Sequence, residues 1–122
     1  MRTSIGCGEY DEKAQREAYE SFLPGFRKAA REHGYALAVH GSMERDLDLV
    51  AVPWVEKVSA PEVLVFAIAK VCRGMIVGAD WNKPYRRLFQ IDLPWRGNEN
   101  RNYIEISVTP TTTETIKSDN LI

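Results

Sequence analysis

Cysteine and long apolar runs are both scarce in this chain of 122 residues, and each scarcity excludes a class of protein. The two cysteines, Cys7 and Cys72, lie far apart and lack the close spacing of metal-ligand pairs. A disulfide framework or a zinc site is therefore not indicated, and a reducing, cytoplasmic location is the simpler expectation. No apolar run reaches membrane-spanning length and no signal-peptide pattern opens the sequence, so we predict a protein without a membrane segment.

An excess of charge of either sign is also missing, because 16 basic and 17 acidic residues leave a formal net charge of −1. This balance excludes a strongly cationic nucleic-acid-binding protein as the default, although a local basic cluster is compatible with it. What the chain does contain is 44% hydrophobic and 27% charged residues, which is typical of a globular fold. The length predicts one domain over residues 1–122, in which residues 111–122 form a poorly ordered or surface-crossing tail.

The order of the predicted elements indicates an α+β fold. Residues 10–33 are rich in helix formers, and Pro24 interrupts them, so this segment is either two helices or one helix broken at Leu23. Gly34 follows in the usual C-terminal position. Apolar runs bounded by turn residues predict four strands, and the last two are joined by a predicted hairpin loop over residues 94–101. The predicted strands cover residues 35–39, 46–52, 86–93 and 102–109.

A further helix is predicted from near Ser59, because Ser59 and Glu62 match a capping box and Pro61 is tolerated in a first helical turn. Its apolar face is broad enough to cover a sheet. That face comprises Val63, Leu64, Ala67, Ile68, Val71, Cys72 and Met75. Together these elements predict a small mixed β-sheet of about four to five strands with helices packed on one face.

Two carboxylates that follow a Gly-Ser turn at residues 41–42 are the most informative feature of the sequence. Strand alternation puts Asp46 and Asp48 on one face, roughly 6.6 Å apart along the chain. Neighbouring acids repel each other and lose solvent on a sheet, and a divalent cation is the usual way to make that arrangement favourable. A third acid lies on a later strand: Glu105 alternates with apolar neighbours, and Asp92 competes with it for the same role.

This pattern resembles the polymerase-beta-like nucleotidyltransferase superfamily, in particular its small single-domain members often found in phages and prophages. Gly41 and Ser42 match the turn that ends an apolar strand in that family. Asp46 and Asp48 match its Asp-x-Asp pair, and Glu105 is the best match to its third carboxylate. The resemblance covers most of the chain, but its strong motif is short.

The resemblance implies a minimal Mg²⁺-dependent nucleotidyltransferase that moves NMP from an NTP to a hydroxyl of a protein, an RNA end or a small molecule. Asp46, Asp48 and Glu105 would then be the catalytic residues and would hold two Mg²⁺ ions about 4 Å apart. The backbone N–H groups of Gly41 and Ser42 would hold the β- and γ-phosphates, because glycine lets an anion approach closely.

Basic residues near these acids have two readings. Arg45 is placed to offset phosphate charge. Lys83, Arg86 and Arg87 form a cluster before the third predicted strand, which is either a clamp on a triphosphate or acidic acceptor, or solvated loop charge. The chain has no room for the added helical domain that recognises the acceptor in multi-domain relatives, so a partner protein, a homodimer or an RNA end would supply that role.

Two departures from the family pattern are compatible with turnover but also with binding alone; the short interval after the turn favours the alternative, and the three carboxylates favour the enzyme. Only Met43, Glu44 and Arg45 stand between the turn and the first Asp, where catalytic members usually hold a full helical turn. The third acid is Glu rather than the commoner Asp. The alternative is a catalytically inactive nucleotide- and metal-binding or protein-interaction module with the same fold, while a purely structural domain would make the Asp pair accidental. His40 is expected to pack against a neighbouring strand.

Overall fold

The computed structural model of the protein describes residues 12–41, 43, 46–80, 86–94 and 103–109. The predicted tail and all but Pro94 of the predicted hairpin loop lie outside these residues. Neither helix in the described ranges has the length and apolar character that crossing a membrane requires. The elements are α1 (Glu12–Glu32), β1 (Tyr35–His40), β2 (Leu47–Pro53), α2 (Pro61–Cys72), β3 (Met75–Asp80), β4 (Arg87–Asp92) and β5 (Tyr103–Val108).

The five strands form one mixed sheet in the order β1-β2-β5-β4-β3. Strands β2 and β5 are parallel neighbours near the middle of the sheet, and the other three pairings are antiparallel. Chain connectivity alone does not suggest this β2–β5 pairing, because one helix and two strands separate the two in sequence. The predicted α+β class with a small mixed sheet is confirmed.

One face of the sheet carries the core and the other does not. On β2, Leu47, Leu49 and Ala51 are buried, whereas the alternating Asp48 and Val50 are only partly so. We call the side of Leu49 the covered face and the side of Asp48 the open face. Helix α1 packs on α2 and β1, and α2 packs on β3 and β4, which confirms the prediction that the helices lie on one face.

Helix α1 is a single helix that continues through Pro24, so the predicted break at Leu23 is wrong. Proline removes one backbone N–H from the helix, but Pro24 and Glu20, whose carbonyl loses its partner, are both exposed to water. Buried side chains on both sides of Pro24 hold the helix on the core. They are Tyr19, Leu23, Phe26, Ala29 and Ala30. Gly34 follows the helix with φ +90°, as its predicted C-terminal position requires.

Helix α2 begins at Pro61 after an Ala60 N-cap that makes no side-chain hydrogen bond, so the predicted Ser59–Glu62 capping box is wrong. The Ser59 hydroxyl lies 2.7 Å from Nδ1 of His33, and the Ser59 carbonyl accepts a hydrogen bond of 2.6 Å from the hydroxyl of Tyr35. These long-range partners hold Ser59 against the end of α1, so its side chain does not cap α2.

The predicted apolar face of α2 is rotated and too long. The buried residues are Leu64, Val65, Ile68, Ala69 and Cys72, whereas Val63 and Val71 are exposed. The helix ends at Arg73, whose φ of 59° is left-handed, and Met75 starts strand β3 instead of extending the helix. Strand β3 was not among the predicted strands, because only Arg73 and Gly74 separate its Met-Ile-Val run from the apolar helix.

Candidate metal centre

The parallel pairing of β2 with β5 sets Asp48 directly opposite Glu105. Side chains opposite each other on neighbouring strands point to the same face of the sheet, here the open face. Asp46 comes just before β2 and is half-buried, like Asp48 and Glu105. One carboxylate oxygen from each of the three lies within 4.8 Å of the others. The structure therefore brings together the three acids singled out in the sequence, in an arrangement that could bind a divalent metal ion.

The surroundings of Asp48 raise the pKa of its carboxyl group. Burial, followed by the negative charge and hydrogen bonding of Asp46 and of Glu105, raises the pKa of Asp48 from its ordinary 3.8 to about 6. Each cause disfavours the ionised carboxylate or favours the protonated one. A cation placed between the three carboxylates would reverse this preference, because it favours the ionised form.

The turn after β1 lies beside the same carboxylate. Gly41 has φ +88°, and a Cβ atom at this position would lie 3.4 Å from Oδ2 of Asp48. Met43 has φ 64°, a conformation unusual for a residue with a side chain, so both Gly41 and Met43, among the described residues of this connection, are left-handed. Ser42 and Arg45, predicted to hold phosphates, lie outside the described residues. Gly41 alone of the predicted phosphate-binding residues in this turn can be placed next to the acids.

Two polar residues that the sequence interpretation did not assign to the site flank it. His40 on β1 pairs with Asp48, and Gln90 on β4 pairs with Glu105, so the four residues form one row across the open face. His40 is exposed on an edge strand rather than packed between strands as expected. Strand alternation would have put His40 and Gln90 on a definite face of each strand, but only the register shows that they stand level with the acids.

Asp92, the competing candidate for the third acid, lies outside the cluster. It is exposed at the end of β4, where Oδ1 accepts a 3.1 Å hydrogen bond from Nε2 of Gln90. Asp92 pairs with Tyr103, two positions along β5 from Glu105. Both acids alternate with apolar neighbours, and the pairing of β5 with β2 favours Glu105.

The predicted basic cluster is divided. Lys83 lies outside the described residues. Nη1 of Arg86 donates a 3.2 Å hydrogen bond to Oγ of Ser107 on the open face. Arg87 pairs with Val108, and strand alternation sets it on the covered-face side with Phe89. The structure therefore does not direct Arg86 and Arg87 toward one ligand.

Comparisons with solved structures show that several are similar to this chain in fold. No protein-family model matches the sequence, and no curated protein matches it. A solved structure of Cid1 in complex with its short product ApU is similar over 82% of this chain, with a TM-score of 0.47 and 10% sequence identity. The present chain spans only 32% of that chain. At this level of likeness, function has to be inferred from the site of the present chain.

Proposed function

We propose that this chain is a minimal nucleotidyltransferase of the polymerase-beta-like type, which uses Mg²⁺ to transfer NMP from an NTP to an acceptor hydroxyl. The observation that carries this proposal is the convergence of Asp46, Asp48 and Glu105 within 4.8 Å beside a glycine turn. Neighbouring carboxylates disfavour each other's ionised form, and a cation between them removes that penalty. Here β2 and β5 set Asp48 directly opposite Glu105, and Asp46 lies just before β2.

The donor set fits the metal that the proposal requires. Carboxylate oxygens are the hard ligands that Mg²⁺ prefers, whereas cysteine and histidine sets favour zinc. The raised pKa of Asp48, caused first by burial and then by the charges of Asp46 and Glu105, is compatible with this donor set, because a bound cation would favour the ionised carboxylate. Asp46, Asp48 and Glu105 would hold the metal ions. When bound, Mg²⁺ would supply charge neutralisation to the attacking and leaving oxygens of the transfer.

The transfer balances as a substitution at phosphorus. The acceptor oxygen forms a bond to the α-phosphorus, the bond from that phosphorus to the bridging oxygen breaks, and pyrophosphate leaves while the hydroxyl proton passes to water. Gly41 contributes by having no side chain beside Asp48, which leaves room for a phosphate to approach the turn. Fully buried Leu47, Leu49, Ile104 and Ile106 fix the two strands and so orient the acids between them.

The short connection between β1 and β2 favours one alternative, a protein that binds metal and nucleotide without turnover. Strand β1 ends at His40 and β2 begins at Leu47, so six residues hold both the turn and the first acid. A longer segment would offer more backbone N–H groups to a triphosphate. The two functions differ in whether pyrophosphate is released.

The proposal is tested by thermal unfolding of the wild type with Mg²⁺ and each of the four NTPs. A ligand at a hundred times its Kd that binds only the folded state stabilises it by about 2.7 kcal/mol, which is a readily measured shift. We expect the stabilisation by NTP to require Mg²⁺ and to be lost in Asp48→Asn. Asp92→Asn is the matched control, because it removes the same charge from the same face outside the cluster.

The outcomes separate the three functions. Metal-dependent nucleotide stabilisation with pyrophosphate release supports the transferase. Stabilisation without release, across a panel of RNA, protein and small-molecule hydroxyl acceptors, supports the binding module. An unchanged melting temperature with every metal and nucleotide, or an equal loss of stabilisation in Asp92→Asn, contradicts both.

A further inference from the structure

We propose that Arg86 and Ser107 form an anion subsite on the open face that binds a phosphate group of the acceptor; this inference rests on the proposed function. It narrows the acceptor to a molecule that carries a phosphate near its reacting hydroxyl. Arg86 is the binding residue, and Ser107 is a positioning residue that acts through it.

Arg86 and Ser107 lie close to the acidic cluster on the open face. Ser107 lies two residues after Glu105 on β5, a separation of roughly 6.6 Å along a strand, and alternation puts both on the open face. Arg86 precedes β4 and reaches Ser107 with a 3.2 Å hydrogen bond. The serine that the guanidinium contacts therefore lies about one strand repeat from Glu105.

The side chains of Ser107 and Arg86 differ in burial, and this difference leaves Arg86 able to bind a ligand. Ser107 is only 8% exposed, so its hydroxyl is a buried polar group that needs a partner, and Arg86 supplies it. Arg86 itself is exposed, and within the described part of the chain no carboxylate forms an ion pair with it. A guanidinium carries five N–H donors in a fixed fork, so one donor fixes its orientation and the remaining donors can bind a ligand.

Arg86 also differs in charge from the other ionisable residues of the open face. Among the five strands and the described residues directly next to them, Arg86 is the one lysine or arginine on the open face, where Asp48, Asp80, Asp92 and Glu105 also lie. Ser107 is flanked in register by Val50 and Leu88, which are half-buried and apolar. Because these neighbours in its row are apolar, the Ser107 hydroxyl takes its hydrogen bond from Arg86.

The direction of the strands assigns this phosphate to the acceptor rather than to the NTP. Gly41 lies before β2, so the turn proposed to hold the NTP phosphates is on the Asp46 side of the acids. Strand β5 runs parallel to β2, so Ser107 lies beyond Glu105 on the opposite side. A molecule that reaches the acids from the Arg86 side therefore meets them across from the triphosphate, as an acceptor must.

The test compares binding of uridine 5′-monophosphate, uridine and a six-residue oligoribonucleotide to the full chain by isothermal titration calorimetry. Losing one charge-assisted arginine–phosphate contact weakens binding by about ten-fold or more. We expect the wild type to prefer the monophosphate over uridine, and Arg86→Gln to remove that preference. Arg27→Gln removes the same charge from an exposed position on α1 and is the matched control.

Ser107→Ala tests the positioning role. We expect a smaller loss, about three-fold, because the guanidinium keeps its charge but not its orientation. The salt dependence of oligonucleotide binding should fall by about one unit of slope in Arg86→Gln and stay near that of wild type in Ser107→Ala. A purely structural role of the pair would lower the melting temperature and leave this slope unchanged.

The outcomes are distinguishable from failure of the proposed function. Tighter binding of the oligonucleotide assigns the phosphate to a nucleic-acid chain, and equal binding assigns it to an acceptor of mononucleotide size; both support the subsite if they depend on Arg86. If folded Arg86→Gln still prefers the monophosphate over uridine, the proposed anion subsite is wrong. The Mg²⁺-dependent NTP stabilisation is measured in the same samples, and its absence in the wild type would count against the transferase instead.

Discussion

The covered and open faces of the sheet are formed by the same strands but carry apolar and charged side chains, respectively. On β2 and β5, Leu49 and Ile106 are buried in the core. Asp48 and Glu105, the residues directly before them, point to the other face and bring negative charges close together. One residue of strand rise separates the two environments. The covered face stabilises the fold, and the open face holds groups whose proximity is unfavourable without a ligand.

Because the two faces carry different side chains, substitutions can change the stability of the fold separately from the binding of metal. Side chains on the covered face act through burial of apolar area and tight packing. Carboxylates on the open face act through charge that a metal ion would neutralise. Substitutions on the covered face should therefore change unfolding without regard to metal, and those on the open face should change the response to metal.

The largest effect is expected on the covered face. Ile106 is fully buried, and truncating such a side chain to alanine typically costs about 2–5 kcal/mol. Ile106→Ala should lower the free energy of unfolding by an amount in this range, measured by urea denaturation without metal. Val50→Ala, on the neighbouring strand but on the open face, is the matched comparison and should cost less than about 1 kcal/mol. Equal losses in the two variants would remove the distinction between the faces.

A smaller effect is expected where the turn meets the acids. Gly41→Ala places a side chain at φ +88° and 3.4 Å from Oδ2 of Asp48. The left-handed backbone costs an L-residue roughly 1–2 kcal/mol, so the free energy of unfolding should fall by about that amount. The Mg²⁺-dependent stabilisation by NTP should weaken as well, because the added methyl group occupies the space beside the carboxylate.

Gly78→Ala is the control for this substitution. Gly78 lies on edge strand β3, and a Cβ atom there would have no neighbour within 4 Å. Alanine should leave the stability unchanged or raise it slightly, since glycine in a strand loses more conformational freedom on folding. A loss in Gly78→Ala as large as that in Gly41→Ala would show that the strain at the turn is not the cause.

Local patterns were sufficient to predict the features that depend on local chemistry. The left-handed glycine after α1, the strand carrying Asp48 and the strand carrying Glu105 all follow from turn residues and apolar alternation. The choice of Glu105 over Asp92 does not follow in this way, because both satisfy the same alternation. It depends on which strand pairs with β2, and that pairing is set by packing of the whole sheet.

The errors have the same physical origin. Ser59 matches a helix cap in sequence, but its contacts with His33 and Tyr35 come from distant parts of the chain. Pro24 is a helix breaker locally, and the buried residues on both sides of it override that preference. His40 gave no signal for its place in the site, since its position opposite Asp48 is a property of strand register.

The smallest effect concerns the acid–base behaviour of the open face. The pKa of Asp48 is about 6 in the folded protein against an ordinary value of 3.8, so the folded state binds more protons than the unfolded state between these values. This residue therefore lowers the free energy of unfolding as the pH rises from 3.8 to about 6, and its effect is constant above that. Because Asp48 is only half-buried, solvent screening reduces the change to on the order of 1 kcal/mol.

Other carboxylates also titrate in this range, so the measurement is the difference between the wild type and Asp48→Asn at each pH without metal. We expect the advantage of Asp48→Asn to grow as the pH rises through this interval, because asparagine keeps the shape of the protonated acid and cannot ionise. Saturating Mg²⁺ at pH 7 should stabilise the wild type but not the variant, since the ion favours the ionised carboxylate. A wild type that is as stable as the variant at every pH would mean that neither burial nor the neighbouring acids raise the pKa of Asp48 in the folded protein, and the open face would lose its contrast with the core.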